Sequence, residues 1–450
     1  MYFSLNRAYS IILLHQKTEN NNNNKKYRTM KTKIFSNIML AICATVMMTA
    51  CSADDEFTSN GNRAIENEMN DKGRAQRTVV VYMAADNDLT SDLDSDLQEM
   101  KEGSMKIGNN NLIVFVDRQS ETELPWMARI QNGEITDSVS IADMGLSDKE
   151  EYSSDPRVME GVLTYAFGHY TAERDYGLIL WGHSTGWIIE QPLVFCTRGF
   201  GVDTGMGIPG SNSEPYWLNV PTIREVLSKM PHLSFIMADC CQFMCLESLY
   251  ELRGTADYIM GSPAEVPSAG APYDTVIPAL FERNNFATSA MERYAEAYNN
   301  YLPLAVVKTS EMENVAHTTR NIMQNININL GDGYADMGGL VHYGYLGTMM
   351  KFSASENIFY DAGDFIKRYA SDSDYRQWKQ TLDRAVVWKR MAPRWKTKKD
   401  WNTFYTDFTM TAEKYHGVSM FIPQNPNSGR YATLNKNIKE MQWYKEVLEE

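Results

Sequence analysis

The sequence predicts an α/β protein built on a mostly parallel sheet with helices on both faces. Three observations carry this. Short apolar runs recur between residues 78 and 262, as the doubly buried strands of a parallel sheet do. Segments with helical periodicity alternate with them. Two of the runs stop abruptly at a reactive residue type, His183 and Cys241. The carboxyl ends of such strands are where open α/β sheets hold their ligands.

The elements follow in order. Residues 78–85 read as the first strand, which ends in the polar turn Asp86-Asn87-Asp88-Leu89. A helix comes next, with Leu93, Leu97 and Met100 on one face at i, i+4 and i+7. Residues 111–117 are a second buried strand, 157–171 a helix and 176–182 a third strand. The Gly-rich stretch 197–217 reads as a loop. A helix over 220–230 is expected to be capped near Thr222. Residues 233–238 form the fourth strand, 247–253 a helix and 258–262 a short fifth strand. From about residue 285 the pattern becomes helical, which marks a domain boundary. Tyr294, Tyr298 and Tyr301 fall at helical spacing there, and core packing explains them most simply. Trp388, Trp395 and Trp401 read in the same way, as packing between elements. The expected division is a catalytic domain at 77–285 and a helix-rich C-terminal domain at 286–450.

With 450 residues, the chain is too long for one ordinary core. Its composition is globular: 43% hydrophobic, 11% aromatic and 22% charged, with a formal charge of -14. Residues 1–50 are net basic, so the remainder is more acidic than the whole. Such a surface argues against nucleic acid, which needs a basic footprint. It suits a soluble extracytoplasmic enzyme.

The N-terminus reads as a targeting signal. Lys31 and Lys33 precede a mostly apolar run, 34–48, that is too short for a dedicated spanning helix. Met48-Thr49-Ala50-Cys51 resembles a bacterial lipobox, in which the signal peptide is cut before the cysteine and that cysteine carries the lipid. Residues 1–29, with the Asn run 20–24, then read as a gene-model extension before the true start at Met30. Residues 30–51 are the lipoprotein signal and 52–76 a flexible tether. The acidic run Ser52-Ala53-Asp54-Asp55-Glu56 fits a surface-export signal or a solvated linker. A plain secretory signal or a short membrane anchor is the competing reading. The expected location is the cell envelope, lipid-anchored at the outer membrane, with a surface-exposed lipoprotein as one form of it.

Beyond the signal remain Cys51, Cys196, Cys240, Cys241 and Cys245. Their clustering is no disulfide framework. Only His183 offers itself as a fourth metal ligand, and zinc spacing is not matched, so no metal site is assigned. A histidine and a cysteine side by side at a sheet edge are instead the raw material of a cysteine nucleophile with an imidazole partner. Taken alone, Cys241 reads better as a buried inert cysteine, whereas His183, with a core histidine as its alternative, reads as a site residue because it follows a Trp-Gly strand end.

The motifs decide between these readings. Residues 79–89, Leu180-Trp181-Gly182-His183-Ser184-Thr185-Gly186-Trp187, Arg198-Gly199-Phe200-Gly201-Val202-Asp203 and Asp239-Cys240-Cys241 stand in one order. The segment from Ser262 through Gly270 to Tyr273 follows, then Asp361-Ala362-Gly363-Asp364-Phe365 and His416-Gly417-Val418-Ser419-Met420-Phe421-Ile422-Pro423. Together they resemble the clostripain-like cysteine peptidases, relatives of caspases, gingipains and legumains. The resemblance runs from about 77 to 425 and implies a caspase-like fold and peptide or protein substrates. It puts Cys241 on the nucleophile and His183 on the acid/base. A helix N-terminus close to Cys241 would favour the thiolate.

The backbone N–H groups of Ser184 and Cys241 are the expected oxyanion donors. Asp239 is taken as the acidic base of the S1 pocket, with a helix N-cap as its alternative. Glu265 orders the specificity loop or is solvated surface. Self-cleavage between the histidine and the nucleophile is a family habit, and Arg198 or a neighbour in 196–215 is the natural position. Calcium is a family association, and the sequence itself requires no cofactor. Two positions depart from the pattern. Ser184 replaces a glycine, which would be strained if that position needs φ > 0. Ala269 stands where relatives that cleave after Arg or Lys carry an acid. Both departures favour a rival reading, an inactive surface lipoprotein that keeps the fold as a binding module.

Overall fold

The computed structural model describes residues 74–189, 199–208, 216–299, 301–331, 333–344, 357–393, 395, 410–427 and 431–449. They belong to one compact unit, Asp71–Glu450. Its first strand, β1 (Arg77–Ala85), is buried at every position. Val80, Tyr82 and Ala84 enter one core, while Val79, Val81, Met83 and Ala85 enter another on the opposite face. That alternation is the period of a strand covered on both sides.

Seven more strands and β1 share one sheet with β12. They are β2 (Asn111–Arg118), β3 (Trp126–Gln131), β4 (Glu134–Ser140), β5 (Asp175–Trp181), β8 (Leu233–Asp239), β9 (Ala256–Gly261) and β10 (Leu304–Lys308), and β12 is Val386–Arg390. The order is β12-β10-β9-β8-β5-β1-β2-β3-β4. The centre, from β9 to β2, is parallel. Both edges are antiparallel. Two short strands, β6 (Phe200–Asp203) and β7 (Tyr216–Leu218), pair outside it, in the stretch the sequence reads as a loop. Another pair, β11 (Tyr360–Asp361) and β13 (Ser419–Met420), lies near the C-terminus.

Helices cover both faces as expected. On one side α1 (Thr90–Ser104) buries Leu93, Leu97 and Met100 beside α5 (Tyr273–Leu280) and α6 (Phe286–Ala297). On the other, α2 (Pro156–His169) and α3 (Val220–Leu227) pack with α4 (Leu246–Glu251), α7 (Met312–Leu330) and α9 (Asp372–Ala385). Asp155 caps α2 by accepting from Arg157 N–H, with Pro156 in the first turn. The helix expected over 220–230 is shorter. Its N-cap is Asn219, not Thr222, and it ends at Leu227.

Two features differ from expectation. The hairpin β3–β4 is absent from the sequence reading, although Asn132 and Gly133 turn it with φ of 51° and 85°. Positive φ at both central residues is what a tight two-residue hairpin turn needs. The sheet also does not stop near residue 285, because β10 and β12 extend it past β9. The chain after 285 therefore contributes strands as well as helices. Its helix α8 (Ala362–Tyr369) is capped by Asp361, whose side chain accepts from Asp364 N–H. The last helix, α10, spans Tyr431–Asn437. No helix among the described residues is long and apolar enough to cross a membrane.

Candidate active site

The site begins with the register of β5 and β8. Trp181 lies opposite Asp239 in that parallel pair. His183 and Cys241 each stand two residues further on, so adjacent strands deliver them to the same carboxyl edge. Gly186 then folds back with φ +61°, and a Cβ there would stand 2.6 Å from the Gln242 carbonyl. The histidine loop thus packs directly against the loop that follows Cys241, and only glycine allows it.

Of the described cysteines, Cys240 and Cys245 are buried and Cys241 is partly exposed. Burial pushes the Cys240 and Cys245 thiols up. The Cys241 sulfur accepts from Val266 N–H at 3.3 Å and, as a thiol, faces the Val266 carbonyl at 3.8 Å. Gln242 follows with φ 50° and bonds its N–H to the Ala264 carbonyl at 3.0 Å. Met244 N–H bonds to Ser262 O at 3.2 Å. The expected support from a helix N-terminus is not what the fold provides. Helix α4 starts only at Leu246, and its N-cap is the buried Cys245.

From the far end of the chain, Ser419 N–H donates to Met244 O at 3.0 Å and Phe421 N–H to Glu247 at 2.7 Å. The His416–Asp361 pair, 2.7 Å apart and fully buried, holds that segment. The later motifs therefore brace the nucleophile loop from behind.

His183 Nε2 lies 2.7 Å from Asp88 Oδ1. Its carbonyl accepts from Gly201 N–H at 2.8 Å, and Thr185 N–H donates to Gly199 O at 2.8 Å. Ser184, bridged to Phe200 between them, turns its own N–H away from β6. Ser184 is not among the residues with positive φ, so the strain expected of it does not arise. Its hydroxyl accepts from Gly186 N–H at 3.1 Å and meets the Cys240 thiol.

Asp239 is a buried anchor for the loop after β9. It accepts from Ala271 N–H at 2.9 Å, Tyr273 OH at 2.7 Å and Tyr294 OH at 2.6 Å. Burial raises its pKa against these bonds. It caps no helix, since the cap of α4 is Cys245. Gly270, at φ +54°, would place a Cβ 2.8 Å from Asp239 Oδ2 and 3.5 Å from Asp96 Oδ2. Its carbonyl accepts from Tyr298 OH at 2.7 Å. Asp96 accepts from Trp181 Nε1 at 2.7 Å and is pushed up to about 8 by burial, then by the charge of Asp239. Glu265 is partly exposed and Ala269 is exposed at the loop tip.

Sequence reasoning missed the roles of Asp88, Asp96, the buried Tyr294 phenol and the partly buried Tyr298 phenol. A signal existed for each acid. Asp88 follows the end of a central strand, and Asp96 interrupts the apolar stripe of α1, where an acid is anomalous. Tyr294 and Tyr298 look like plain packing until their hydroxyl partners are known. Cys51, Cys196 and Arg198 lie outside the described residues. Among the described residues, no three His, Cys, Asp or Glu side chains are placed to hold a metal ion.

Comparison with known proteins fits this geometry. Residues 81–450 match the model of the Clostripain family. Clostripain of Hathewaya histolytica is 25% identical over 223 residues, and the match spans 45% of this chain and 42% of that relative. The chain thus aligns with less than half the length of this curated relative. Among solved structures, a secreted C11 cysteine protease from Bacteroides thetaiotaomicron, in complex with an irreversible peptide inhibitor, is 28% identical with a TM-score of 0.65. That match covers 83% of this chain and 99% of the other. An inactive zymogen C11 protease from Parabacteroides distasonis is 25% identical with a TM-score of 0.66, covering 84% and 99%.

Proposed function

The chain belongs to the clostripain family, and from that premise we propose that it is a cysteine endopeptidase acting through Cys241 and His183. The observation that carries this is the Trp181–Asp239 register, which brings a partly exposed cysteine and a histidine to adjacent strand ends. The Cys241 thiolate attacks the scissile carbonyl carbon, and the C–S bond forms as the carbonyl π electrons move to oxygen. The N–H groups of Ser184 and Cys241 receive that oxyanion, and one such donor contributes roughly 3–4 kcal/mol in known oxyanion holes. His183 protonates the leaving amine as the C–N bond breaks, which leaves a thioester. Water, deprotonated by His183, then hydrolyses the thioester and restores the thiol.

Asp239, Glu265 and Ala269 are the proposed pocket residues, with Asp239 acting from beneath the loop. Ser184 was one of the two departures behind the inactive-module reading, and its unstrained backbone removes that argument. One structural relative is an inactive zymogen, which fits maturation by self-cleavage within 196–215, Arg198 being the proposed position. The N-terminal motif ending at Cys51 supports a lipid-anchored envelope protein, and acyl labelling of Cys51 tests it. The decisive experiment for the activity is labelling by a thiol-directed peptidyl probe. Labelling of the wild type and its loss in Cys241→Ala are expected. Equal labelling of both proteins rules out this assignment.

A further inference from the structure

We propose that Asp88 is the positioning residue of this site, holding the His183 imidazole by Nε2 and committing Nδ1 to the proton transfers at Cys241. The inference rests on the peptidase reading above and deepens it. Asp88 Oδ1 lies 2.7 Å from His183 Nε2. An ionised carboxylate only accepts, so Nε2 carries the hydrogen, and in the neutral ring Nδ1 is then the nitrogen with a free lone pair. Asp88 is ionised in this setting. Its carboxyl is held below the ordinary range, first by the His183 hydrogen bond and then, against burial, by the imidazole's charge.

The contact is built into the fold on both sides. Asn87, buried beside Asp88, donates from Nδ2 to Ala84 O at 3.0 Å and to Val202 O at 2.7 Å, and accepts from Leu89 N–H at 2.9 Å. Gly201, between Phe200 and Val202 in the chain, holds the His183 carbonyl through its N–H at 2.8 Å. Asp88, through the side chain of its neighbour Asn87, and His183, through its own carbonyl, are thus both tied to β6, and their side chains close the ring. The Asp88 side chain is 77% exposed and that of His183 22%. An ion pair so exposed contributes little to stability, so its effect lies in orientation and tautomer rather than in folding.

The test compares wild type with Asp88→Ala and Asp88→Asn in the full-length protein. Two readouts are used: the ¹⁵N imidazole NMR titration of His183, and kcat and KM on a peptide substrate. In Asp88→Ala the Nε2–H preference should be lost. Its kcat should fall about 10–100-fold with KM nearly unchanged, as for a misplaced reacting group. Asp88→Asn keeps an acceptor oxygen without the charge. It should retain the tautomer and recover part of kcat. An unchanged tautomer of His183 in Asp88→Ala overturns the proposal, even if kcat falls. Should the wild type cleave no peptide, the peptidase reading fails, and the His183 tautomer still decides the role of Asp88.

Discussion

The phenol of Tyr294 donates a 2.6 Å hydrogen bond to Asp239, two positions before the proposed nucleophile. It does so from α6, beyond the expected boundary at 285, and it is fully buried. Tyr294→Phe removes the donor with little change of shape. An acceptor left short of a partner in a buried site costs about 1–3 kcal/mol. Urea unfolding should show that loss. Because Asp239 also holds Ala271 N–H, the loop over 262–271 should loosen and KM should rise more than kcat falls. Stability and KM both matching wild type would show that this bond does not hold the loop.

Cys241→Ala should abolish peptide hydrolysis, whereas Cys240→Ala should keep much of it. Cys240 is buried with its thiol pushed up by burial, while Cys241 is partly exposed and meets Val266 N–H. Burial therefore disfavours a thiolate at the first position. Kinetics of the two purified variants check this. An active Cys241→Ala beside a dead Cys240→Ala would mean that the motif is read one residue out of register.

Much of this was legible because the chemistry sits at strand ends. A buried strand that breaks off at His183 or Cys241 announces its own edge, and β1, β2, β5, β8 and β9 all fall close to their expected positions. The hairpin β3–β4 was missed for the opposite reason. Strand β4, Glu134–Ser140, is half exposed and carries no apolar run. Its signal was the Asn132-Gly133 turn rather than hydrophobicity. Strand β10 is only five residues long and is set among helices. The bonds from Ser419 and Phe421 to the nucleophile loop join positions remote in sequence, which no local pattern encodes. Asp88 was visible as a residue, but its partner was not.

Stability should be greatest at mildly acidic pH. Burial, with neighbouring carboxylates, pushes Asp96 to about 8 and Glu150 to about 8, and burial alone pushes Glu247 to about 7. Burial and the charge of Asp117 raise Asp203, and burial raises Asp117. Each of these pKa values is raised above its unfolded value. For Asp96, Glu150, Glu247 and Asp117 the contribution is therefore full below about pH 4 and is lost as pH rises through about 7–8. Asp88, Asp175 and Asp361 are lowered and act in the other direction, losing their contribution as pH falls below about 4. A melting-temperature profile should thus fall from about pH 5–6 towards pH 8. Asp117→Asn should flatten that fall and stabilise the protein at pH 8 by about 1–3 kcal/mol, because an amide next to Asp203 donates without charge. A steeper fall in the variant would refute the account.

Substrate preference at P1 should not be simply basic. A buried Arg or Lys needs a carboxylate with acceptor capacity to spare, because an unpaired charge in such a site is costly. Ala269 supplies none. Asp239 already accepts three hydrogen bonds and is only 4% exposed. The second acid beneath Gly270, Asp96, is pushed to about 8 by burial and then by Asp239, so it is mostly protonated at neutral pH. A P1 library screened at pH 7 should therefore show neutral residues cleaved at least as well as Arg and Lys. The same argument sets a direction. As pH passes about 8, Asp96 ionises and the site gains a negative charge, so cleavage after Arg should rise relative to cleavage after a neutral residue. Asp96→Asn should abolish that rise and leave the neutral substrate unaffected. Strong Arg or Lys selectivity at pH 7 would overturn the inference from Ala269. If it then vanished in Asp239→Asn with folding intact, Asp239 would be the base of the pocket in spite of its three donors.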